Sequence, residues 1–346
     1  MKFNFPKTPS SKTYGDKTTP EQDVMMKLIT QQKIDSNDEE VLKEAFNFYQ
    51  EAFKSLKDIN LSEIDKDDLK EIFSFLRVVF NMNLTIQNKI NFYFLYRVTV
   101  IEDLFLENGK VRNIEYIKNP PLKIIEKNGV YGRANSPKST IFYCAFQPGV
   151  AVLETKPEIN DRIIIAEWLN ENAKDFISYP ITNNKTIKNE SLEFATKAFQ
   201  ERMTYNHPLF AKILDLYLDF LSSEFVKDIK ITNPKKYEYI FSAYFADMVL
   251  DNLFEPIDHP IEPIKHYDCI IYPSIAVGHK FENLGILPES LKKLKPVKLQ
   301  EILVKQTFYS NLDIINDTDL PIAGEILRTA TEFDGDRIIW DDDDKT

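Results

Sequence analysis

Glycine is scarce in this chain, 9 residues in 346. That excludes glycine-paved folds such as collagen-like rods. Cysteine is nearly absent too. Cys144 and Cys269 make no disulfide framework, and both lie in apolar runs, "TIFYCAF" and "HYDCIIYPS", where buried reduced thiols are expected. The four histidines are His207, His259, His266 and His279. His259 and His266 share a proline-rich loop at a spacing that fits neither a zinc finger nor a helical metal pair, so no metal is expected. No stretch reaches the ~18 uninterrupted apolar residues of a membrane span. The N-terminus "MKFNFPKTPSSKTYGDKTTP" lacks the apolar core of a signal peptide. A soluble, cytoplasmic protein is expected. Positive charge is in deficit: the formal net charge is −11, which gives no footprint for nucleic-acid binding. Part of that excess is local, in "WDDDDKT", where "DDDDK" also matches a protease site used in expression tags. Glycine-rich dinucleotide and phosphate loops are missing, as is a Gly-x-Ser-x-Gly elbow.

What the chain has in quantity is aromatic: 25 Phe and 16 Tyr, enough for one large core or two ordinary ones. The pattern predicts an α+β protein in four parts. Residues 1–19 read as a flexible arm and residues 20–88 as a helical block. In that block one helix starts at Thr19-Pro20, with Thr19 as cap and Gln22 completing a capping box. A second starts at Ser36 with Glu39 three residues on, and a third at about Asp65. Residues 89–298 read as a sheet-containing domain with a helical insertion at about 170–255, and residues 299–346 as a C-terminal extension with an acidic tail. "NFYFLYRVTV", "NPPLKII", "VYGRANSP", "STIFYCAF", "GVAVLE" and "DRIIIAEW" read as strands and turns. "NESLEFATKAFQERM", "HPLFAKILDLYLDFLSSEFV" and "NPKKYEYIFSAYFADMVLDNLF" read as amphipathic helices. "YDCIIYPSIA" is β-like and "VGHKFENLGILP" reads as a loop, while "LQEILVKQTFYSNL" and "DRIIW" read as strands.

Three polar stretches interrupt runs that otherwise look buried. They are Tyr96-Arg97; Arg133 and Asn135, followed by Tyr143 and Glu154; and Tyr272-Pro273-Ser274, with Asn283 after it. Each alone has an ordinary reading. An arginine in a strand usually snorkels, and a tyrosine among apolar residues is usually core with a satisfied hydroxyl. A glutamate after an apolar run is usually the run's exposed end, and a Pro-Ser pair is usually a turn.

Their order carries more. Tyr96-Arg97, Gly132-Arg133-Ala134-Asn135, Tyr143, Glu154, Tyr272-Pro273-Ser274 and Asn283-Leu284 together resemble the RES domain family over about residues 91–290. The chain departs from the family pattern at Ala134, where an aromatic often stands, and in the length of the stretch between Glu154 and Ser274. The resemblance implies a fold like that of ADP-ribosyltransferases, with a split β-sheet. It implies NAD⁺ as substrate, and a toxin whose partner is a helix-turn-helix antitoxin. It implies Glu154, Arg97 and Ser274 as catalytic residues, and Arg133, Tyr143, Tyr96, Asn135 and Asn283 as NAD⁺-binding residues.

Residue chemistry agrees with that role. Breaking the bond between ribose C1″ and a cationic nicotinamide passes through an oxocarbenium-like state that a carboxylate stabilises. Arginine forks suit a diphosphate, and a tyrosine face suits a flat cation. No histidine has a recognisable place beside Ser274, which argues against a triad nucleophile. The superfamily's Glu-x-Glu pair is absent, since Glu154 is followed by Thr155 and Lys156, and this tilts the expectation from protein modification to breakdown of free NAD⁺. Glu167 is a candidate second acid. Hydrolysis or phosphorolysis of NAD⁺ therefore leads. A protein ADP-ribosyltransferase is the alternative, and a non-catalytic interaction protein using the helical block is the alternative of another class. The sequence leaves oligomeric state open.

Overall fold

A computed structural model describes residues 3–7, 20–29, 32–80, 87–129, 131–182, 192, 194–197, 201, 207–227, 237–250, 267–276, 278, 280–309 and 320–343. Most of the expected arm, including the Thr19 cap, lies outside these residues. Of the arm, Phe3 and Phe5 are described, and Phe5 stacks on Phe75 with ring centroids 4.0 Å apart.

Three helices open the chain: α1 (Pro20–Ile29), α2 (Ser36–Lys57) and α3 (Lys66–Val79). The cap of α2 falls one residue earlier than expected. Asp35 accepts from the Asn37 and Asp38 backbone N–H groups, and Asp38 accepts from that of Asp35. Asp65 and Asp68 make the same reciprocal box at α3. Aspartate replaces the expected Ser/Glu pair because a short carboxylate reaches the same orphan N–H groups.

The strands then follow as β1 (Asn88–Ile90), β2 (Phe94–Val100), β3 (Leu106–Glu107) and β4 (Lys110–Val111). Two short helices, α4 (Glu115–Lys118) and α5 (Leu122–Asn128), precede β5 (Phe142–Ala145). "NPPLKII" is thus α5 rather than a strand, started after Pro121 and stopped by Gly129 in the left-handed region. "GVAVLE" is likewise helical, within α6 (Pro148–Thr155). Next come β6 (Arg162–Asn170) and β7 (Phe176–Pro180), then the inserted helices α7 (Pro208–Phe225) and α8 (Ile240–Leu250). Of the helix expected at 189–203, residues 192, 194–197 and 201 are described and helical; the rest lies outside the described residues. After the insertion come β8 (Cys269–Pro273), β9 (Glu282–Ile286), β10 (Leu294–Thr307), β11 (Ile322–Ala330), β12 (Glu332–Asp334) and β13 (Arg337–Ile339). The expected loop "VGHKFENLGILP" therefore contains a strand, β9. The strand β10 also runs unbroken through residue 298, where a domain boundary is expected from the sequence.

Nine strands form one sheet in the order β1-β7-β8-β9-β5-β2-β6-β10-β11. All neighbours run antiparallel except β7 and β8. The class is α+β, as the sequence pattern predicts. The ladder narrows at its middle: β2 and β5 share one registered pair, Tyr96↔Ala145, whereas β2 and β6 are paired from Phe94 to Val100. This seam divides the sheet into a five-strand and a four-strand half.

Helices α1–α3, α7 and α8 cover one face of the five-strand half. Phe53 stacks on Phe220 at 4.7 Å, and both belong to one apolar cluster with Phe80, Phe245, Tyr179 and Tyr272. Helix α6 packs separately on the four-strand half, against Val98, Ile163, Ile165 and Ile302. The acidic tail is built into the fold. The Trp340 indole donates to the Val111 carbonyl at 2.8 Å, and Lys110 binds Asp342 at 2.7 Å and Asp343 at 2.6 Å. Both cysteines are free and buried. Among the described residues no helix is long and apolar enough to cross a membrane.

Candidate active site

A cavity of about 370 Å³ opens at the seam, lined by residues of α6, the 132–133 turn, β2, β5, β9, the end of β8, and Tyr239 just before α8. Its floor is set by α6. Pro148 occupies the first helical turn, and Val150, Val152 and Leu153 are fully buried, each contributing roughly 1.5–3 kcal/mol of burial. The helix ends at Lys156 in the left-handed region, φ 48. Glu154 therefore sits in the last turn, where the helix dipole disfavours a carboxylate and a cationic partner is needed.

That partner is Arg133, whose Nη1 donates to Glu154 Oε2 at 3.3 Å. The other carboxylate oxygen, Oε1, accepts from Ser274 Oγ at 2.5 Å and from the Ala276 N–H at 3.5 Å. Ser274 follows β8 and is fully buried. Strand and turn thus hold the carboxylate from two sides.

The turn carrying Arg133 is fixed by Tyr143 on β5. The tyrosine hydroxyl accepts from the Ala134 N–H at 2.8 Å and donates to Asn135 Oδ1 at 2.7 Å. Gly132 leaves room for this: a Cβ there would lie 2.3 Å from Asn135 Oδ1 and 2.7 Å from the Tyr143 hydroxyl. Ala134 is fully buried, its Cβ 3.2 Å from the place where a side chain on Gly285 would begin, so no aromatic fits at that position here.

Arg97 reaches into the seam from β2. Its Nη1 donates to the Tyr143 carbonyl at 2.9 Å, and the guanidinium lies 5.2 Å from the Phe142 ring centroid. Among the described residues its Nε is buried without a partner, as is Asn283 Nδ2; both residues line the cavity. Burial pulls Arg97 down to about 10, with no carboxylate beside it among the described residues. Burial likewise pushes up the Tyr143 and Tyr272 hydroxyls and the Cys144 thiol, which leaves that thiol an inert part of the wall. At Arg133 burial acts downward, but Glu154, Tyr239 and Tyr272 outweigh it and the net shift is upward.

The structure brings Glu154, Ser274, Arg133, Arg97, Tyr143 and Asn283 together. It does not bring in Tyr96, which packs in the apolar cluster with Val98 and Val150. Asn135 is a strut of the turn, its Nδ2 donating to the Ser136 and Ser139 carbonyls. Glu167 is the register partner of Tyr96 and does not line the cavity. Sequence reasoning missed Tyr239, whose ring lies 5.4 Å from the Arg133 guanidinium. No motif or spacing links residue 239 to residue 133. His259, His266 and His279 lie outside the described residues, and among those described no cluster of metal-ligating side chains occurs.

A mixed sheet that narrows at a seam, with Arg133, Glu154 and Ser274 joined by hydrogen bonds beside a cavity there, defines the α+β class of this protein. The chain matches the RES domain family over residues 111–308 and belongs to it. That membership associates the domain with toxin–antitoxin systems. Arg97, on β2, lies before the matched span. No curated protein and no solved structure matches the chain.

Proposed function

We propose that the cavity binds NAD⁺ and cleaves its nicotinamide–ribose bond, making the protein an NAD⁺-degrading toxin. The observation that carries this reading is Glu154, held by Ser274 and Arg133 in a cavity whose other charged residues, Arg97, Arg133 and Lys156, are all cationic. A single oriented carboxylate among cations suits a substrate that is anionic at its diphosphate and becomes cationic at C1″.

In this reading Glu154 faces the developing oxocarbenium charge. The C1″–N bond breaks with its electron pair going to nicotinamide, which leaves neutral. Water or phosphate oxygen then bonds to C1″, and a water nucleophile gives up one proton. Arg97 offers its unpartnered Nε and its charge to the diphosphate, and Asn283 offers Nδ2 to an acceptor. Tyr143 and Tyr272 wall the cavity, so a flat ring can lie against them. Lys156 stands at the second position of the superfamily's Glu-x-Glu pair, which favours free NAD⁺ breakdown over transfer to a protein. The partner expected is a helix-turn-helix antitoxin.

The test is incubation of purified protein with NAD⁺, with and without phosphate, followed by product identification. Nicotinamide with ADP-ribose is expected from hydrolysis, and nicotinamide with ADP-ribose 1″-phosphate from phosphorolysis. Glu154→Gln is expected to keep the thermal midpoint and lose at least 100-fold in turnover. Label from NAD⁺ held on one protein band would favour ADP-ribosyl transfer, and binding without consumption would favour the non-catalytic alternative.

A further inference from the structure

Arg133 reads from sequence as a diphosphate clamp, but each of its guanidinium nitrogens already has a protein acceptor. Nη1 donates to Glu154 Oε2 at 3.3 Å, Nε to the Tyr239 hydroxyl at 3.3 Å and Nη2 to the Lys227 carbonyl at 3.4 Å. Two of these three acceptors come from the helical insertion: Lys227 follows α7, and Tyr239 immediately precedes α8. The same helix grips the far end of the turn, where Ser139 Oγ donates to Asp247 Oδ1 at 2.6 Å. Tyr239 and Asp247 lie about two helical turns apart. Helix α8 therefore spans the whole 133–139 segment, with one anchor at each end. It is itself immobilised: Ile240, Phe241, Phe245, Ala246 and Val249 are fully buried.

We propose that α8 is a splint for the reacting carboxylate. Tyr239 and Asp247 hold the 133–139 turn so that Arg133 keeps Glu154 in one orientation, which makes Tyr239 a positioning residue and couples the inserted helical layer to the chemistry. Ser274 fixes one carboxylate oxygen from the sheet, and the splint fixes the other from the helices. A carboxylate tethered through one oxygen rotates about its last bond; tethered through both it cannot. Placement to within about 0.5 Å is what catalysis by a fixed charge requires. The arrangement also separates the two arginines, since Arg133 serves the carboxylate while Arg97, whose Nε has no partner among the described residues, is left for substrate. The inference rests on reading Glu154 as the reacting group.

Tyr239→Phe tests it, because the ring remains under the guanidinium while the hydroxyl acceptor is lost. The first measurement needs no turnover: hydrogen exchange of the Arg133 Nε–H, assigned by its disappearance in Arg133→Lys. Exchange is expected to speed up at least tenfold in Tyr239→Phe, and an unchanged rate overturns the splint. The second is steady-state NAD⁺ consumption. A fall of about tenfold in kcat with little change in KM is expected, the size of one hydrogen bond to a charged group. Unchanged kcat with raised KM would make Tyr239 a substrate contact and overturn the proposal, as would unchanged values of both. Asp247→Asn, at the other anchor, is expected to lower kcat in the same direction. If the wild-type protein consumes no NAD⁺, the NAD⁺ reading fails on its own. The splint is then decided by the Glu154 side-chain ¹³C resonance, which is expected to move in Tyr239→Phe and overturns the proposal if it does not.

Discussion

Arg97 is the residue with the least support. It is buried and, among the described residues, has no carboxylate partner and an unsatisfied Nε. A charge held so pays a desolvation cost unless a ligand neutralises it. Because its folded value falls from the ordinary arginine range to about 10, the folded state binds fewer protons than the unfolded one between the two. The penalty is thus fully present below about 10 and is relieved as pH rises through that value towards the ordinary arginine range. Arg97→Met is expected to raise stability at pH 8 by up to roughly 3 kcal/mol while abolishing NAD⁺ consumption. The stability gap should close above pH 10 in denaturant titrations of both proteins. At this scale the sequence was informative: Arg97, Arg133, Tyr143, Glu154, Ser274 and Asn283 are all legible from their order along the chain. Tyr96 and Asn135 belong to the same pattern but serve β2 packing and the turn, a distinction only side-chain direction reveals.

At the scale of elements, α6 shows why the rest was not legible. Val150, Ala151, Val152 and Leu153 are all buried, so the run has no apolar–polar period, and a run that short does not distinguish helix from strand. Burial against β2, β6 and β10 decides, and the residues at its ends, Pro148 and Lys156, mark the boundaries only in retrospect. The strand β9 was obscured differently. Its Gly285 reads as a loop signal, yet it is there because Ile141, Ala134 and Ile270 approach to 3.0–3.2 Å of where a Cβ would stand. Since α6 is anchored by packing rather than by a side-chain cap at Gln147, Leu153→Ala is expected to cost about 2–5 kcal/mol. Urea unfolding should show this as a lower midpoint with the same slope.

For the whole molecule, the N-terminal helices are not a detachable block. Phe53 and Phe80 pack into the same cluster as Tyr217, Phe220 and Phe245, and that cluster immobilises α8 and hence Arg133. A chain starting at residue 87 would expose this aromatic surface and is expected to be insoluble, or to bind a hydrophobic dye strongly and consume no NAD⁺; sedimentation of the expressed truncation checks it. Helicity of residues 36–79 is readable from the sequence, whereas its merger with the insertion depends on contacts between segments more than a hundred residues apart, which no local period encodes.

The carboxylate and the hydroxyl that anchors it are separated by 120 residues. At a synthesis rate of about 5–20 residues per second, Ser274 leaves the ribosome roughly 6–24 seconds after Glu154. During that interval the nascent chain carries Glu154 without the strand that fixes it, and without the helix that holds Arg133. Under the proposed NAD⁺-cleaving role, activity is thereby deferred until β8 and the inserted helices have been made, and an unfinished polypeptide is expected to consume no NAD⁺.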